Sequence, residues 1–388
     1  MGLISIVLLV ILLIYVILIA QLIVGFRKVK SFQIYDLQPK TAFTIVVPFR
    51  NEERNLTPLL DSISRLNYPI SLIQIVMVDD FSKDNSVKIY NDWRVSHQEV
   101  DTTLLENLVL SNSPKKDALG RAIPIAKHDW IVTTDADCLV NENWLLALDN
   151  YIQSNTPEMI VGSVLYKTKN NWFHHFQQLD LMSLQGTTIG SFGIGKPFLC
   201  NGANFAYTKK FFNEIGGFGG IKDKASGDDV LLLQKAVEYN KEKVHYLKNS
   251  DAIVLTKPEN DLFKLFMQRV RWASKSTGYK SGYAKTLAVV VLLMNLSLVG
   301  GLTYGFTQGG AFPWCGFCGY LNHKVFVGVF LVKYAVDHIL LYQSNWYLRK
   351  GKFFVPIASS LIYPFFCSAV GIYSLFGKFS WKGRKFRK

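Results

Sequence analysis

Four long stretches of this chain carry almost no charge, and between the first and second lies a segment where short apolar runs alternate with helix-like periodicity. Gly2 to Phe26 has no charged residue, and as a helix it is long enough to cross a hydrocarbon core of about 30 Å. It does not read as a secretory leader, which has a basic start, a shorter apolar centre and a small-residue cleavage site. Leu287 to Phe306, inside an uncharged run from Thr286 to Asn322, is a second spanning candidate, and the Gly-rich remainder reads as a loop. Val325 to Gln343 is a third. It contains Lys333 and Asp337, which share a helical face and so neutralise each other inside a bundle. The fourth, Phe353 to Gly377, is interrupted by Pro356 and Pro364, so it either spans or dips in and returns.

In the segment between them, Thr44 to Phe49 is a β-rich run followed by a polar loop, Arg50 to Asn55, and helical periodicity through Leu66. Ile73 to Val78 and Trp130 to Thr134 are two further apolar runs of strand length. Strands alternating with helices predict an α/β fold, a mostly parallel, doubly wound sheet. Such sheets bind ligands at the carboxyl ends of their strands, and all three runs finish near acid: Glu52 and Glu53, Asp79 and Asp80, Asp135 and Asp137. A dinucleotide dehydrogenase shares this architecture but needs a Gly-rich first turn, and Pro48 to Glu53 is no such turn. In Asp135-Ala136-Asp137 two carboxylates flank one small residue, an arrangement of oxygen ligands that suits Mg2+ or Mn2+ and, through it, a diphosphate. A surface turn is the alternative for those residues taken alone.

Farther along, Gly227, Asp228 and Asp229 precede a helical run from Val230 to Tyr239. Asp228 is placed to cap that helix, and Asp229 then falls in its first turn, where the helix dipole keeps a carboxylate ionised and able to act as a general base. Leu262 to Trp272 reads as a basic amphipathic helix at a membrane surface. Gln268, Arg271 and Trp272 sit at i, i+3 and i+4 and share a face, either lying in the headgroup layer or gripping a sugar and a phosphate.

The net charge of +14 over 388 residues raises nucleic acid as a partner, and its distribution argues against it. Basic residues crowd beside the apolar stretches: Arg27, Lys28 and Lys30; Lys264, Arg269, Arg271 and Lys275; Arg349, Lys350 and Lys352; Lys382, Arg384, Lys385, Arg387 and Lys388. That is the positive-inside pattern facing anionic membrane lipid, and it puts residues 27–285 in the cytoplasm. Four full spans would place the basic tail outside, so one carboxyl-terminal segment is expected to be re-entrant or interfacial. Five cysteines make no disulfide framework in a cytoplasmic chain; Cys138 and Cys200 read as buried thiols. Trp314 to Cys318 has a thioredoxin-like spelling without the βαβ context, and reads as a loop thiol pair. His174 and His175 read as packing residues.

Together these residues resemble the membrane-bound family 2 glycosyltransferases, the group of ceramide glucosyltransferases and the cellulose, chitin and hyaluronan synthases, in order from Thr44 to Trp272. The resemblance implies a GT-A fold with one N-terminal and about three C-terminal transmembrane or re-entrant helices. The expected segments are 1–26 (membrane helix), 27–260 (catalytic domain), 261–285 (interfacial helix), 286–377 (membrane region) and 378–388 (basic tail). It implies that Pro48, Glu52, Asp79 and Asp80 line the nucleoside site, and that Lys115 or Lys116 approaches the nucleotide. Asp135 and Asp137 match the family's metal-binding Asp-x-Asp. Asn201, Gly202, Ala203 and Asn204 look like its acceptor-side loop. Asp229 falls at the catalytic base, with Asp228 before it where many members have Glu. Gln268, Arg271 and Trp272 match Gln-x-x-Arg-Trp.

The implied activity is an inverting, metal-dependent transfer of one sugar from a nucleotide-diphosphate sugar, with UDP-sugar favoured, to a lipid or lipid-linked saccharide acceptor. The expected location is a bacterial inner membrane. The tail from Trp381 to Phe386 loosely resembles that of ceramide glucosyltransferases. A processive polysaccharide synthase is the runner-up, and an inactive membrane scaffold is the alternative from another class.

Overall fold

The computed structural model describes residues 3–222, 224, 226–307, 323–350, 357–376, 379–381 and 384–386. The chain divides into two bodies. One comprises Met1–Lys28, His175–Lys196 and Asn260–Gly377, the other Val29–His174, Pro197–Glu259 and Lys378–Lys388.

Helix α1 (Leu3–Lys28) belongs to the helical body. The α/β body follows with β1 (Phe43–Phe49), α2 (Leu56–Ser64), β2 (Ile73–Asp79), α3 (Ser86–Ser96), β3 (Asp101–Glu106), α4 (Pro114–Ile125), β4 (Trp130–Thr133), α5 (Trp144–Asn155), β5 (Met159–Gly162) and β6 (Val164–Tyr166). After α6 (Trp172–Gly193) it resumes with β7 (Phe205–Thr208), α7 (Lys209–Glu214), α8 (Val230–Asn240), β8 (Val244–Leu247) and β9 (Val254–Thr256). The main sheet has seven strands in the order β3-β2-β1-β4-β7-β5-β8. Only β7 is reversed, pairing antiparallel with both β4 and β5, so the sheet is mostly parallel and of GT-A type. In the central register Ile45 lies between Ile75 and Val132. β2 and β4 are buried along their whole length, and β1 at every position except Pro48. That burial on both faces is why these strands read as unbroken apolar runs.

The helical body continues with α9 (Leu262–Ala273), α10 (Gly282–Thr307), α11 (His323–Leu348) and α12 (Ile357–Phe376). Among the described residues four helices, α1, α10, α11 and α12, are long and apolar enough to cross a membrane. α12 continues through Pro364 for 20 residues as one helix. The segment expected as one interfacial unit over 261–285 is instead two helices. α9 ends at Ala273, a 3-10 turn covers Ser274–Gly278, and α10 has begun by Gly282.

Lys333 and Asp337 do pair, at 2.6 Å, and the Tyr15 hydroxyl of α1 donates to the same carboxylate at 2.5 Å. α1 and α6 approach through glycine: a methyl group on Gly193 would overlap the Gly25 carbonyl oxygen, and one on Gly190 would come 2.5 Å from that of Leu22. Small residues allow such backbone contact between helices.

The tail contains a two-stranded antiparallel hairpin, β10 (Phe379–Trp381) with β11 (Arg384–Phe386). Cys138 is buried, but Cys200 is only partly so, since it lies in the irregular segment before β7. His174 is a packing residue, accepting the Lys169 amide at Nδ1. Trp314 to Cys318 lies outside the described residues.

Candidate active site

The parallel arrangement brings the ends of β1, β2 and β3 side by side, with Phe49 opposite Asp79 and Asp79 opposite Glu106. Each acid there is held in place. The Ser82 amide donates to Asp79 Oδ1 at 3.0 Å, and Asn107 Nδ2 donates to Asp80 Oδ1 at 2.8 Å. Arg50 lies 4.0 Å from the other Asp80 oxygen and donates to the carbonyls of Asp80 and Phe81. Glu52 Oε2 accepts from Asn55 at 2.5 Å. Glu52, Asp79 and Asp80 are all buried, while Pro48 on β1 is partly exposed.

The loops after β1 and β2 are locked together by strained backbone. Asn51 and Phe81 have φ of 52° and 59°, a left-handed conformation costly for side chains other than glycine and clustered at functional sites. The Asn51 amide donates to Ser82 Oγ at 3.0 Å, and its side chain accepts the Lys83 amide at 2.8 Å.

Beyond the end of β4, Asp135 and Asp137 are partly exposed while Ala136 and Cys138 between and after them are buried. The Cys138 amide closes this turn onto the Asp135 carbonyl at 3.0 Å. The Cys138 thiol is held well above its ordinary pKa by burial first and then by Asp137 and Asp135. The Thr134 hydroxyl just before them is buried and has no hydrogen-bond partner among the described residues. Thr133 donates to the Gly202 carbonyl at 2.7 Å, joining β4 to the 201–204 loop.

From α4, Lys115 Nζ reaches Asp135 Oδ1 at 2.6 Å and Asp228 Oδ2 at 3.3 Å. Burial works to lower its pKa, but Asp135, Asp228 and Asp229 outweigh that and hold it above the ordinary lysine value. Lys116 turns elsewhere. It is 1% exposed and donates to the carbonyls of Lys224 and Ser226, pinning the loop that leads into α8. Of the two lysines expected near the nucleotide, Lys115 is the one among the carboxylates.

Asp229, not Asp228, caps α8, accepting from the Val230 amide at 2.7 Å. The reason is Gly227, whose φ of 87° turns the chain one residue later than expected and frees Asp228 for Lys115. Asp229 Oδ2 also accepts the Gly202 amide at 3.1 Å, so two backbone donors orient this carboxylate. A methyl group at Gly202 would lie 3.3 Å from both Asp228 Oδ2 and Lys115 Nζ, a tight approach to which those side-chain ends would have to give way.

The rest of the 201–204 loop is structural in its contacts. The Asn204 amide nitrogen donates to the carbonyls of Ser163 and Ala252 at 2.8 and 2.7 Å, and its oxygen accepts from Trp144 Nε1 at 3.0 Å. Ala203 is buried beside it, and its amide donates to Asn201 Oδ1. Gln268, Arg271 and Trp272 lie on α9 in the helical body, all partly buried.

No cluster of three His, Cys, Asp or Glu side chains able to hold a metal is present among the described residues. Asp135 and Asp137 nevertheless fit a divalent cation that takes its remaining oxygens from a diphosphate and water, the usual mode for Mg2+ with nucleotides. Arg50, Asn107 and Thr133 were not anticipated from the sequence. Arg50 sat visibly in the polar loop after β1, whereas Asn107 follows a half-exposed edge strand with no apolar pattern to announce it.

Comparison with known proteins shows likeness in sequence and in fold. Residues 44–216 match the family model described as glycosyl transferase family 2. A poly(ribitol-phosphate) beta-glucosyltransferase of Bacillus spizizenii is 30% identical over 31% of this chain and 19% of its own length. Glycosyltransferase GlyG of Streptococcus pneumoniae is 21% identical over 58% of this chain and 79% of its own. The chain thus spans only about a fifth of the first relative. Among solved structures, the mannosyltransferase PcManGT from Pyrobaculum calidifontis, in complex with GDP-Man and Mn2+, has a TM-score of 0.63 at 16% identity, covering 96% of this chain and 98% of that one. Residues 44–216 are thus similar to the glycosyl transferase family 2 model, and the fold is like that of the solved mannosyltransferase.

Proposed function

We propose that this protein is an inverting, non-processive glycosyltransferase that moves one sugar from a nucleoside diphosphate sugar, with UDP-sugar favoured, to a lipid or lipid-linked acceptor. The observation that carries this reading is the convergence of Asp135, Lys115, Asp228 and Asp229 around Gly202 at the end of β4. Carboxylates for a cation, a lysine for phosphate and an oriented candidate base then lie together at that strand end.

Glu52, Asp79 and Asp80, fixed at the ends of β1 and β2, hydrogen-bond the nucleoside. Asp135 and Asp137 hold Mg2+ or Mn2+, which when bound stabilises charge developing on the departing diphosphate. Lys115 adds a second positive charge on the same side. Asp229, with both oxygens oriented by backbone amides, takes the proton of the acceptor hydroxyl as it attacks the anomeric carbon. One displacement with one base inverts the configuration, and no carboxylate nucleophile is required. Gln268, Arg271 and Trp272 are assigned to the transfer by their match to the Gln-x-x-Arg-Trp signature.

Metal use is supported by the Mn2+ in the mannosyltransferase of like fold. The names of relatives that glycosylate poly(ribitol-phosphate) support a phosphate-bearing or lipid-linked acceptor. The four apolar helices and the basic residues flanking them support a catalytic body at the cytoplasmic face of a cell membrane.

The test is release of nucleoside diphosphate by detergent-solubilised protein given a panel of sugar nucleotides, Mn2+, Mg2+ or EDTA, and native lipid extract. Release from one donor that EDTA abolishes, with one sugar on the labelled product, is the expected result. A polymeric product would replace this reading with a processive synthase. No release and no metal-dependent nucleotide binding would leave an inactive scaffold.

A further inference from the structure

In the helical body one buried guanidinium joins residues that the Gln-x-x-Arg-Trp signature leaves unconnected. Arg269 occupies an unspecified position of that signature and is 5% exposed; Asp180, facing it from α6, is 7% exposed. Arg269 Nε donates to Asp180 Oδ2, and its Nη1 donates to Gln268 Oε1. Its guanidinium carbon lies 4.3 Å from the centroid of the Trp272 ring. The same side chain therefore touches two of the three signature residues while being anchored to a different helix.

These contacts use what is particular to arginine. A planar guanidinium donates along several fixed directions and offers a face to an aromatic ring at the same time, whereas an ammonium is a point charge with neither property. Left exposed, the Gln268 amide and the Trp272 indole would each sample several rotamers. The guanidinium fixes one for each, and Asp180 fixes the guanidinium.

We propose that Asp180 and Arg269 are positioning residues that present Gln268 and Trp272 in a preset arrangement for the transfer reaction. This rests on the assignment of Gln268 and Trp272 to the site under the proposed function. Asp180 acts only through Arg269, so an ion pair without the planar fork does not suffice.

The experiment labels the full-length protein with 5-fluorotryptophan and identifies the fluorine resonance of Trp272 by its loss in Trp272→Phe. Asp180→Asn and Arg269→Lys are expected to shift that resonance and to lower kcat about 10–100-fold, with metal-dependent nucleotide binding and the thermal midpoint near those of the parent. Asp180→Glu, which keeps the ion pair, is expected to recover most of the activity. An unmoved Trp272 resonance in Arg269→Lys overturns the proposal, whether kcat is retained or falls together with the thermal midpoint. A parent protein that turns over no donor would defeat the functional reading, while the fluorine shift would still decide whether Arg269 orients Trp272.

Discussion

The Lys115 ammonium lies 2.6 Å from Asp135 Oδ1, so a cation from α4 already sits against the first carboxylate of the Asp-x-Asp pair. Asp228 is its second partner, and Asp229 adds to the field. This lysine ties the metal-binding candidate at the end of β4 to the candidate base before α8.

Replacing Lys115 by Met removes that cation and leaves like charges together, which increases their demand for another cation. Lys115→Met is expected to bind Mn2+ alone more tightly and nucleoside diphosphate more weakly, as titration calorimetry would show; unchanged values for both would contradict the arrangement. The pH dependence follows from the raised pKa. A lysine whose folded pKa lies above its ordinary 10.5 contributes stability fully present below 10.5 and lost as pH rises through the folded value. The difference in thermal midpoint between parent and variant is therefore expected to be constant from about pH 6 to 9.

Asp229→Asn keeps the shape of the cap while removing the basic oxygen. It is expected to retain Mn2+ and nucleotide affinity and to lose transfer by about 100-fold or more. Asp137→Ala is expected to do the reverse of the binding result, weakening donor binding in Mn2+ to the level seen in EDTA. Measured side by side, the two separate base from metal ligand, and an active Asp229→Asn enzyme would refute the base assignment.

Asn204 makes three buried hydrogen bonds, to Trp144, Ser163 and Ala252. Asn204→Ala strands all three partners and is expected to destabilise the α/β body by about 2–4 kcal/mol. A thermal melt would register this as a large drop in midpoint, whereas a residue serving only the acceptor would leave the melt in place.

Gly193→Leu inserts a side chain where the α1 backbone passes. Overpacking of this kind costs about 1–3 kcal/mol, so the detergent-solubilised variant is expected to melt earlier and to expose α1 to protease. Leu at Gly300, where a methyl group would meet nothing within 4 Å, is the control and is expected to melt like the parent.

Sequence alone revealed β1, β2 and β4, whose burial on both faces gives unbroken apolar runs, but it missed β5 and β7, which are just as buried. β3 was invisible because it has no such run. It is an edge strand whose residues from Asp101 to Leu105 are half-exposed and whose last, Glu106, is exposed, so no pattern marks it. The Asp135–Asp137 pair was legible because two nearby positions share one turn. The roles of neighbours were not: Lys115 and Lys116 are equally basic, and only the rotation of α4 sends one to Asp135 and the other to carbonyls near α8. The cap of α8 was misplaced by one residue because the left-handed φ at Gly227 is not visible in composition.

Hydropathy and charge along the chain by themselves determined four apolar helices, a mostly parallel sheet and acid at its strand ends, since each depends on solvent and on residues close in sequence. Tertiary structure alone decided that Lys115 meets an aspartate 20 residues away, that Asn204 is spent on holding strands together, and that Asp180 reaches Arg269 across 89 residues. The physical reason is that a hydrogen bond's partner is chosen by where the folded backbone brings two groups within about 3 Å, and that distance is not a property of either residue's neighbourhood in the chain.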